Sequence, residues 1–136
     1  MKIYLILLLL AFAATLHAQG KSDFIGNWIT ADSSEIVEIY MEDDTYYARV
    51  KAAANQEMKE KVVLIQMIKK SDTQLYGGTY YDPELKSEYE AKLKLKNNNT
   101  IQLKVLYGLF PKTIIWHRIN ALKGKTNEIA VSGIKQ

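Results

Sequence analysis

The stretch EYEAKLKLKNNNTIQLKVLY, residues 88 to 107, decides the fold. Its first half alternates apolar with charged side chains, the apolar ones being Tyr89, Ala91, Leu93 and Leu95. Successive residues of a strand point to opposite sides, so this pattern predicts a strand with one apolar and one charged face. Asparagines at 97–99 tolerate a left-handed backbone and predict a turn. The alternation then resumes at Ile101, Leu103, Val105 and Tyr107, which predicts an antiparallel hairpin.

The same period of two recurs along the chain. Six further segments join the hairpin to give eight short predicted strands, at 24–30, 37–41, 46–51, 62–68, 74–81, 88–96, 101–107 and 113–119. Eight strands at regular spacing predict an all-β domain, either a sandwich or an antiparallel barrel. The segment Ala52–Glu60 favours helix by propensity but is too short for a stable one. We expect it to form a helical turn that bridges two strands or caps a barrel mouth.

The chain has 136 residues, enough for one domain. Residues 1–18 have the plan of a secretory signal peptide, with Lys2, an apolar run at 3–14 and a small residue, Ala18, at the cleavage point. The run is shorter than the roughly 20 residues of a membrane-spanning helix. We therefore expect cleavage and export of a soluble protein, periplasmic or secreted, without stable membrane insertion. A short segment at 19–23, the β-domain at 24–119 and a tail at 120–136 follow, with 128–132 a candidate extra edge strand.

Composition excludes several functions. The formal net charge is only +3, and the lysines are spread among glutamates without a nucleic-acid-binding motif, so no nucleic-acid partner is expected. The chain has no cysteine, so no disulfide staples it. Two histidines are too few for a zinc site of several His or Cys ligands. We expect neither a metal nor another cofactor.

Four carboxylates lie close together at Asp82, Glu84, Glu88 and Glu90. They suggest either an acid/base site or the turn and outer face of a hairpin. Pro83 suits the second position of a tight turn, and the aspartate before it can accept hydrogen bonds from the following backbone. The two later glutamates fall on the charged face of the predicted strand. We interpret the group as a turn followed by a solvated strand face.

Two other motifs have structural interpretations. The pair Gly77-Gly78 could cradle a phosphate, but no lysine motif or helix follows it, so a bulge or the bend of a closing sheet is favoured. His117 could belong to a catalytic triad only with a nucleophile in reach, and the sequence contains no nucleophile-elbow motif. No catalytic residue is identified, and the chain is not expected to be an enzyme.

Tyrosines supply the candidate binding residues. Tyr46, Tyr89 and Tyr107 fall on the predicted apolar faces, together with Leu93 and Leu103. A buried phenol needs a hydrogen-bond partner, which is backbone, water or the polar end of a ligand. Tyrosine is also simply a good strand former. The five residues are our candidates for lining a ligand site.

Three motifs together resemble a known family. Gly26-Asn27-Trp28, the segment Gly77–Pro83 and Trp116-His117-Arg118 are similar to the bacterial exported family of unknown function numbered 2147, over residues 24–119. The chain departs from that pattern at Lys86-Ser87, where Gly-Lys is usual. The resemblance implies a single antiparallel, eight-stranded, lipocalin-like (calycin-type) up-and-down barrel. It also implies that Trp28 closes one end of the barrel beneath Arg118, in a structural role.

Two functions follow from this fold. The first is binding of a small apolar or amphipathic ligand inside the barrel, and the alternative is a filled-core periplasmic interaction module without a small ligand. The segment Val62–Ile68 is apolar at both strand parities. Its second face must be covered by the tail, a helix or another subunit, and the last case predicts a homodimer.

Overall fold

The computed structural model describes residues 24–119. The predicted signal peptide at 1–18, the segment at 19–23 and the tail at 120–136 lie outside the described residues. Eight strands are present: β1 (Gly26–Thr30), β2 (Glu35–Glu42), β3 (Thr45–Ala53), β4 (Val62–Ser71), β5 (Gln74–Asp82), β6 (Ser87–Asn97), β7 (Thr100–Tyr107) and β8 (Phe110–Arg118). No helix within residues 24–119 is long and apolar enough to cross a membrane.

The strands form a closed antiparallel barrel in chain order, and β8 pairs with β1 to complete it. This confirms the eight-stranded up-and-down barrel and rules out the sandwich. Between β3 and β4 lies one turn of 3-10 helix, Gln56–Met58, whose cap Asn55 accepts a hydrogen bond from the Glu57 backbone N–H at 3.1 Å. The predicted helical turn therefore exists, and Met58 anchors it in the core.

The hairpin of residues 88–107 supplies much of the core. Its apolar residues at 91, 93, 95, 101, 103 and 105 are all buried, and Leu93 pairs across the strands with Leu103. The sequence left open which face of β8 points inward. The buried Ile101 pairs with Trp116 and the buried Leu103 pairs with Ile114, so Trp116 and Ile114 face the interior. His117 is therefore on the outer face of β8, opposite Ile29 and Thr100.

One end of the barrel is closed by aromatic residues. Trp28 is fully buried, and its indole N–H donates to the Phe24 carbonyl at 2.9 Å. Phe24 in turn packs edge-on against Tyr46, with ring centroids 6.1 Å apart. The guanidinium carbon of Arg118 lies 4.2 Å from the Trp28 ring centroid, the cation–π contact that the resemblance implied. Such a contact contributes about 0.5–2 kcal/mol to stability. The buried rings of Trp28 and Phe24 close this end of the barrel.

The glycine pair forms a bulge. The β5–β6 register shifts between Leu75 and Gly78, and Gly77 has φ +81°, which favours glycine. A Cβ on Gly78 would overlap the Ile65 carbonyl and lie 2.6 Å from the Met67 sulfur. The second glycine is therefore required by close packing of β5 on β4.

Strand β4 also contains an irregularity. Gln66 has φ +55° and is exposed, so Leu64 and Met67, three residues apart, are both buried. Residues 62–68 are therefore apolar at both odd and even positions because the inward-facing positions shift by one residue at Gln66. Ile68 is left 49% exposed. The homodimer through Val62–Ile68 is not needed to explain this strand and stays a prediction.

Candidate ligand-binding site at the barrel mouth

A cavity of about 470 Å³ opens at the end of the barrel opposite the Trp28 closure. We call it the mouth pocket. It is bordered by the β1–β2 and β5–β6 turns and by the adjoining ends of β7 and β8. Its volume falls in the range of about 300–1,000 Å³ that is typical of small-molecule sites. The mouth pocket is therefore large enough for a small organic ligand.

The pocket exists because inward-facing positions become polar near the mouth. Glu35 has the same strand parity as the buried Val37, two residues later in β2. Lys112 likewise has the parity of the inward Ile114 in β8, and both residues border the pocket. Charged side chains cannot be packed into an apolar core without partners. The hydrophobic core therefore stops short of this end and leaves space.

Glu35 is the most distinctive group in the pocket. Its side chain is partly buried, and its carboxylate accepts no hydrogen bond from any residue in the range 24–119. Burial, followed by the charge of Asp32, raises the pKa of Glu35. A carboxylate in this state gains most from a ligand that brings a positive charge or hydrogen-bond donors.

The neighbouring Asp32 is already satisfied. It accepts hydrogen bonds from the Ser34 hydroxyl at 2.7 Å, the Ser34 backbone N–H at 3.0 Å and the Thr30 hydroxyl at 2.8 Å. Burial alone would raise its pKa, but these hydrogen bonds lower it below the ordinary value. Asp32 thus keeps a fixed negative charge next to Glu35.

Asp82 joins two loops at the mouth. It accepts hydrogen bonds from the Glu84 and Leu85 backbone N–H groups at 2.9 and 3.0 Å, which confirms the predicted Asp-Pro turn. It also accepts the Tyr107 hydroxyl hydrogen at 2.7 Å. Burial opposes ionisation of Asp82, yet these donors hold its pKa below the ordinary value, whereas burial and this hydrogen bond raise the pKa of Tyr107. The bond fixes the end of β7 against the β5–β6 turn.

Tyr80 forms another wall. Burial, and secondarily the charge of Glu35, raises its pKa to about 12, so its phenol stays neutral. Its hydroxyl has no hydrogen-bond partner among the described residues. Apolar lining comes from Ile114 and from Trp116, which is only 2% exposed. The pocket therefore combines an apolar surface with polar groups that are available to a ligand.

The net charge of the mouth pocket is negative. Among the described residues, four carboxylates and one lysine border it: Asp32, Glu35, Asp82, Glu84 and Lys112. Within residues 24–119, no group of three or more His, Cys, Asp or Glu side chains is arranged to hold a metal ion. The arrangement suits an organic cation with an apolar body.

The predicted site residues fall into separate regions. Of the five ligand-lining candidates, Tyr107 borders the mouth pocket, and the Tyr89 ring packs against the Tyr107 ring with centroids 4.5 Å apart. Leu93 and Leu103 are packed in the core, and Tyr46 belongs to the closed end. Three of the five thus lie away from the mouth pocket, because inward parity alone does not tell at which height in the barrel a residue sits.

Sequence reasoning missed Glu35, Tyr80 and Lys112. Glu35 carried a usable signal, since an ionisable residue at the inward parity of a strand is costly unless it has a function or a partner. Glu88 and Glu90, by contrast, are exposed on the outer face of β6, as the hairpin interpretation predicted. Asp82 both starts the turn and borders the pocket.

Comparisons with known proteins agree with this architecture. The sequence profile of a family described as uncharacterized protein conserved in bacteria (DUF2147) matches residues 26–118. Among solved structures, protein HP1028 from the human pathogen Helicobacter pylori, described as belonging to the lipocalin family, is similar, with a TM-score of 0.60 at 17% sequence identity. The similarity covers 84% of this chain and 99% of that one. No curated protein matches this sequence.

Proposed function

Because the chain belongs to the DUF2147 family of uncharacterized bacterial proteins and has a lipocalin-like barrel, we propose that it binds a small, partly apolar organic cation in the mouth pocket. The proposal includes export to the bacterial envelope, which rests on the signal-peptide pattern of residues 1–18. It assigns a binding function without catalysis.

The observation that carries the proposal is the carboxylate of Glu35. It is partly buried without a hydrogen-bond donor among the described residues, beside a second fixed negative charge on Asp32. Among residues 24–119 no fully buried side-chain oxygen or nitrogen lacks a hydrogen-bond partner, so the Glu35 oxygens reach the open pocket, where a ligand can contact them. An ammonium group bound here would supply both donors and the opposite charge.

The apolar part of the ligand has a matching surface. Ile114 and Trp116 offer hydrocarbon contact, and the rings of Tyr80 and Tyr107 form walls that can contact a cation through their faces. Beneath these residues the barrel is filled, since Trp28, Leu93 and Leu103 are each no more than 1% exposed. The ligand therefore sits at the mouth, not deep in the barrel.

A matched series of probes tests the proposal. Octyltrimethylammonium, octyl sulfate and octyl glucoside share one tail and differ in head-group charge, and each is titrated into the purified protein by calorimetry below its micelle concentration. We expect the cationic probe to bind with 1:1 stoichiometry and tighter than the sulfate by about tenfold or more, because the mouth carries an excess of carboxylates.

Variants locate the binding site. Glu35→Gln keeps the side-chain shape and removes the charge, so it should weaken the cationic probe by about tenfold while leaving octyl glucoside nearly unchanged. Glu90→Gln on the outer face of β6 is the control and should change neither. Equal binding of all three probes, or none, would refute the proposal.

A filled-core interaction module is the second candidate. It is favoured by the β7–β8 turn, where Leu109 and Phe110 are 93% and 78% exposed. Adjacent apolar side chains this exposed are typical of contact surfaces. Sedimentation velocity over a range of concentrations, with Phe110→Ser as comparison, tests whether this turn mediates self-association.

A further inference from the structure

A second cavity, of about 420 Å³, lies on the outer face of the barrel across β5 to β8. We call it the lysine trough. Within residues 24–119, four lysines border it, Lys70, Lys92, Lys94 and Lys104, and no carboxylate does. The lysines come from distant parts of the sequence, so the expectation that the chain's lysines are not gathered into a patch is wrong for this face. The barrel brings them together through strand pairing.

The register places like charges directly opposite each other. Lys92 of β6 pairs with Lys104 of β7. Lys94, two residues further along β6 on the same face, pairs with Gln102. Like charges at directly opposed positions are destabilising. None of the three lysines is within ion-pair distance of a carboxylate among the described residues, whereas Lys51 and Lys69 elsewhere on the barrel are. No ion pair among the described residues therefore offsets this repulsion.

We propose that the lysine trough binds an acidic oligosaccharide, a sugar chain that bears carboxylates or sulfates. The lysines complement the repeated negative charges. The side-chain amides of Gln74 and Gln102 offer donors and acceptors to hydroxyl groups. Tyr76 is 43% exposed, and the Lys70 ammonium lies 5.9 Å from its ring centroid, so an aromatic and a cationic contact for an acidic sugar lie side by side. The trough thus combines charge, amide and aromatic contacts in one concave surface.

Two other anionic partners fit less well. A flat bilayer surface contacts a convex or planar patch and would not fill a concave trough. Single-stranded nucleic acid binds through several aromatic side chains on which successive bases stack. Among the described residues, Tyr76 is the only aromatic one that borders the trough.

The trough is distinct from the mouth pocket. In the described part of the chain, Thr113 is the only residue that borders both. The two surfaces carry opposite charges, four lysines in one and an excess of carboxylates in the other. An acidic sugar chain would be repelled from the mouth and a cationic ligand from the trough. The inference therefore does not depend on the ligand proposed for the mouth.

The test uses a fluorescein-labelled mannuronate hexamer, which carries one carboxylate per sugar, and measures anisotropy with the purified protein at about 0.02 M and 0.2 M NaCl. We expect binding that weakens with salt and that neutral mannohexaose does not compete away. The double variant Lys92→Gln/Lys104→Gln should lose about tenfold in affinity, because two charge-assisted contacts are removed. It relieves a like-charge pair, so its melting temperature should not fall.

The control is Lys51→Gln/Lys59→Gln, which makes the same change in net charge on exposed residues outside the trough. It should bind the hexamer within about twofold of the unmodified protein, since long-range effects of surface charge are screened. Equal losses in the two double variants, or no binding at low salt, would overturn the proposal. Tighter binding to phosphatidylglycerol vesicles or to an oligothymidylate would overturn the assignment to a sugar chain.

Discussion

Replacing Glu35 by glutamine should stabilise the empty protein at neutral pH. The carboxylate is partly buried without a hydrogen-bond donor among residues 24–119, and Asp32 adds a like charge. A fully buried polar group left unsatisfied costs about 1–3 kcal/mol, but the Glu35 oxygens reach solvent, since no fully buried side-chain oxygen or nitrogen within residues 24–119 lacks a partner. Because the side chain borders an open pocket that water can enter, we expect the low end, about 1 kcal/mol. For a domain of this size that corresponds to a rise in melting temperature of about 4–8 °C.

The pH dependence distinguishes this cause from a packing change. The pKa of Glu35 is raised above 4.5 in the folded protein, so the folded state binds its proton more tightly than the unfolded state. Below pH 4.5 the side chain is neutral in both states, and the two proteins should be equally stable. As the pH rises through the folded-state pKa, the unmodified protein loses this contribution, and the glutamine variant becomes the more stable.

Thermal melts at about pH 4, 6 and 8, compared with Glu90→Gln on the outer face, measure this difference. A saturating cationic probe should reverse the order at pH 8, because only the carboxylate gains from the ligand's charge. If the glutamine variant were less stable than the unmodified protein at pH 8 without ligand, Glu35 would have a stabilising partner, and the argument for an unsatisfied site would fail.

Three further changes test the architecture. Tyr107→Phe removes the 2.7 Å hydrogen bond to Asp82 and should lower the free energy of unfolding at neutral pH by about 1 kcal/mol, because a bond to a charged group is weaker where it is partly exposed. The pKa of the Asp82 carboxyl is held below 3.8, so this loss of stability should shrink in thermal melts as the pH falls through that pKa. Gly78→Ala forces a Cβ to 2.6 Å from the Met67 sulfur and should destabilise by about 3 kcal/mol in urea titrations, the upper end for overpacking. Arg118→Met removes the stack on the indole and a 2.7 Å bond to a backbone carbonyl, and should lower the melting temperature by about 5 °C, whereas unchanged melting would refute its closing role.

The barrel could be predicted from sequence because its strands are amphipathic. The alternation in residues 88–107 predicts which side chains face inward, and Leu93 and Leu103 both do so. Their direct pairing also depends on a register shift between Leu95 and Asn97, since a turn at 98–99 alone would place Leu93 opposite Lys104. Strand β4 was harder, since the left-handed Gln66 shifts the alternation by one residue. A backbone irregularity of this kind has no separate sequence signal in a single chain.

The two surfaces were less accessible to sequence reasoning. Both depend on which residues lie at the same height in the barrel, and this height is fixed by the shear between strands that are far apart in sequence. Lys92 and Lys104 are twelve positions apart yet directly opposed, and Glu35 and Lys112 border one pocket from opposite ends of the domain. Parity identifies the face of a strand, and only the register identifies the height.

The location of the pocket follows from how the inward positions are filled. An eight-stranded barrel is just wide enough to be packed by its own side chains or to hold one small ligand. Large residues such as Trp28 and Met67 fill it away from the mouth and are fully buried. At the mouth, Glu35 and Tyr80 occupy inward positions, and their side chains have no hydrogen-bond partner among the described residues. Apolar residues there would extend the core and stabilise the barrel, so the fold does not account for these polar groups. In the proposed function, a ligand at the mouth would complete the hydrogen bonds of these groups.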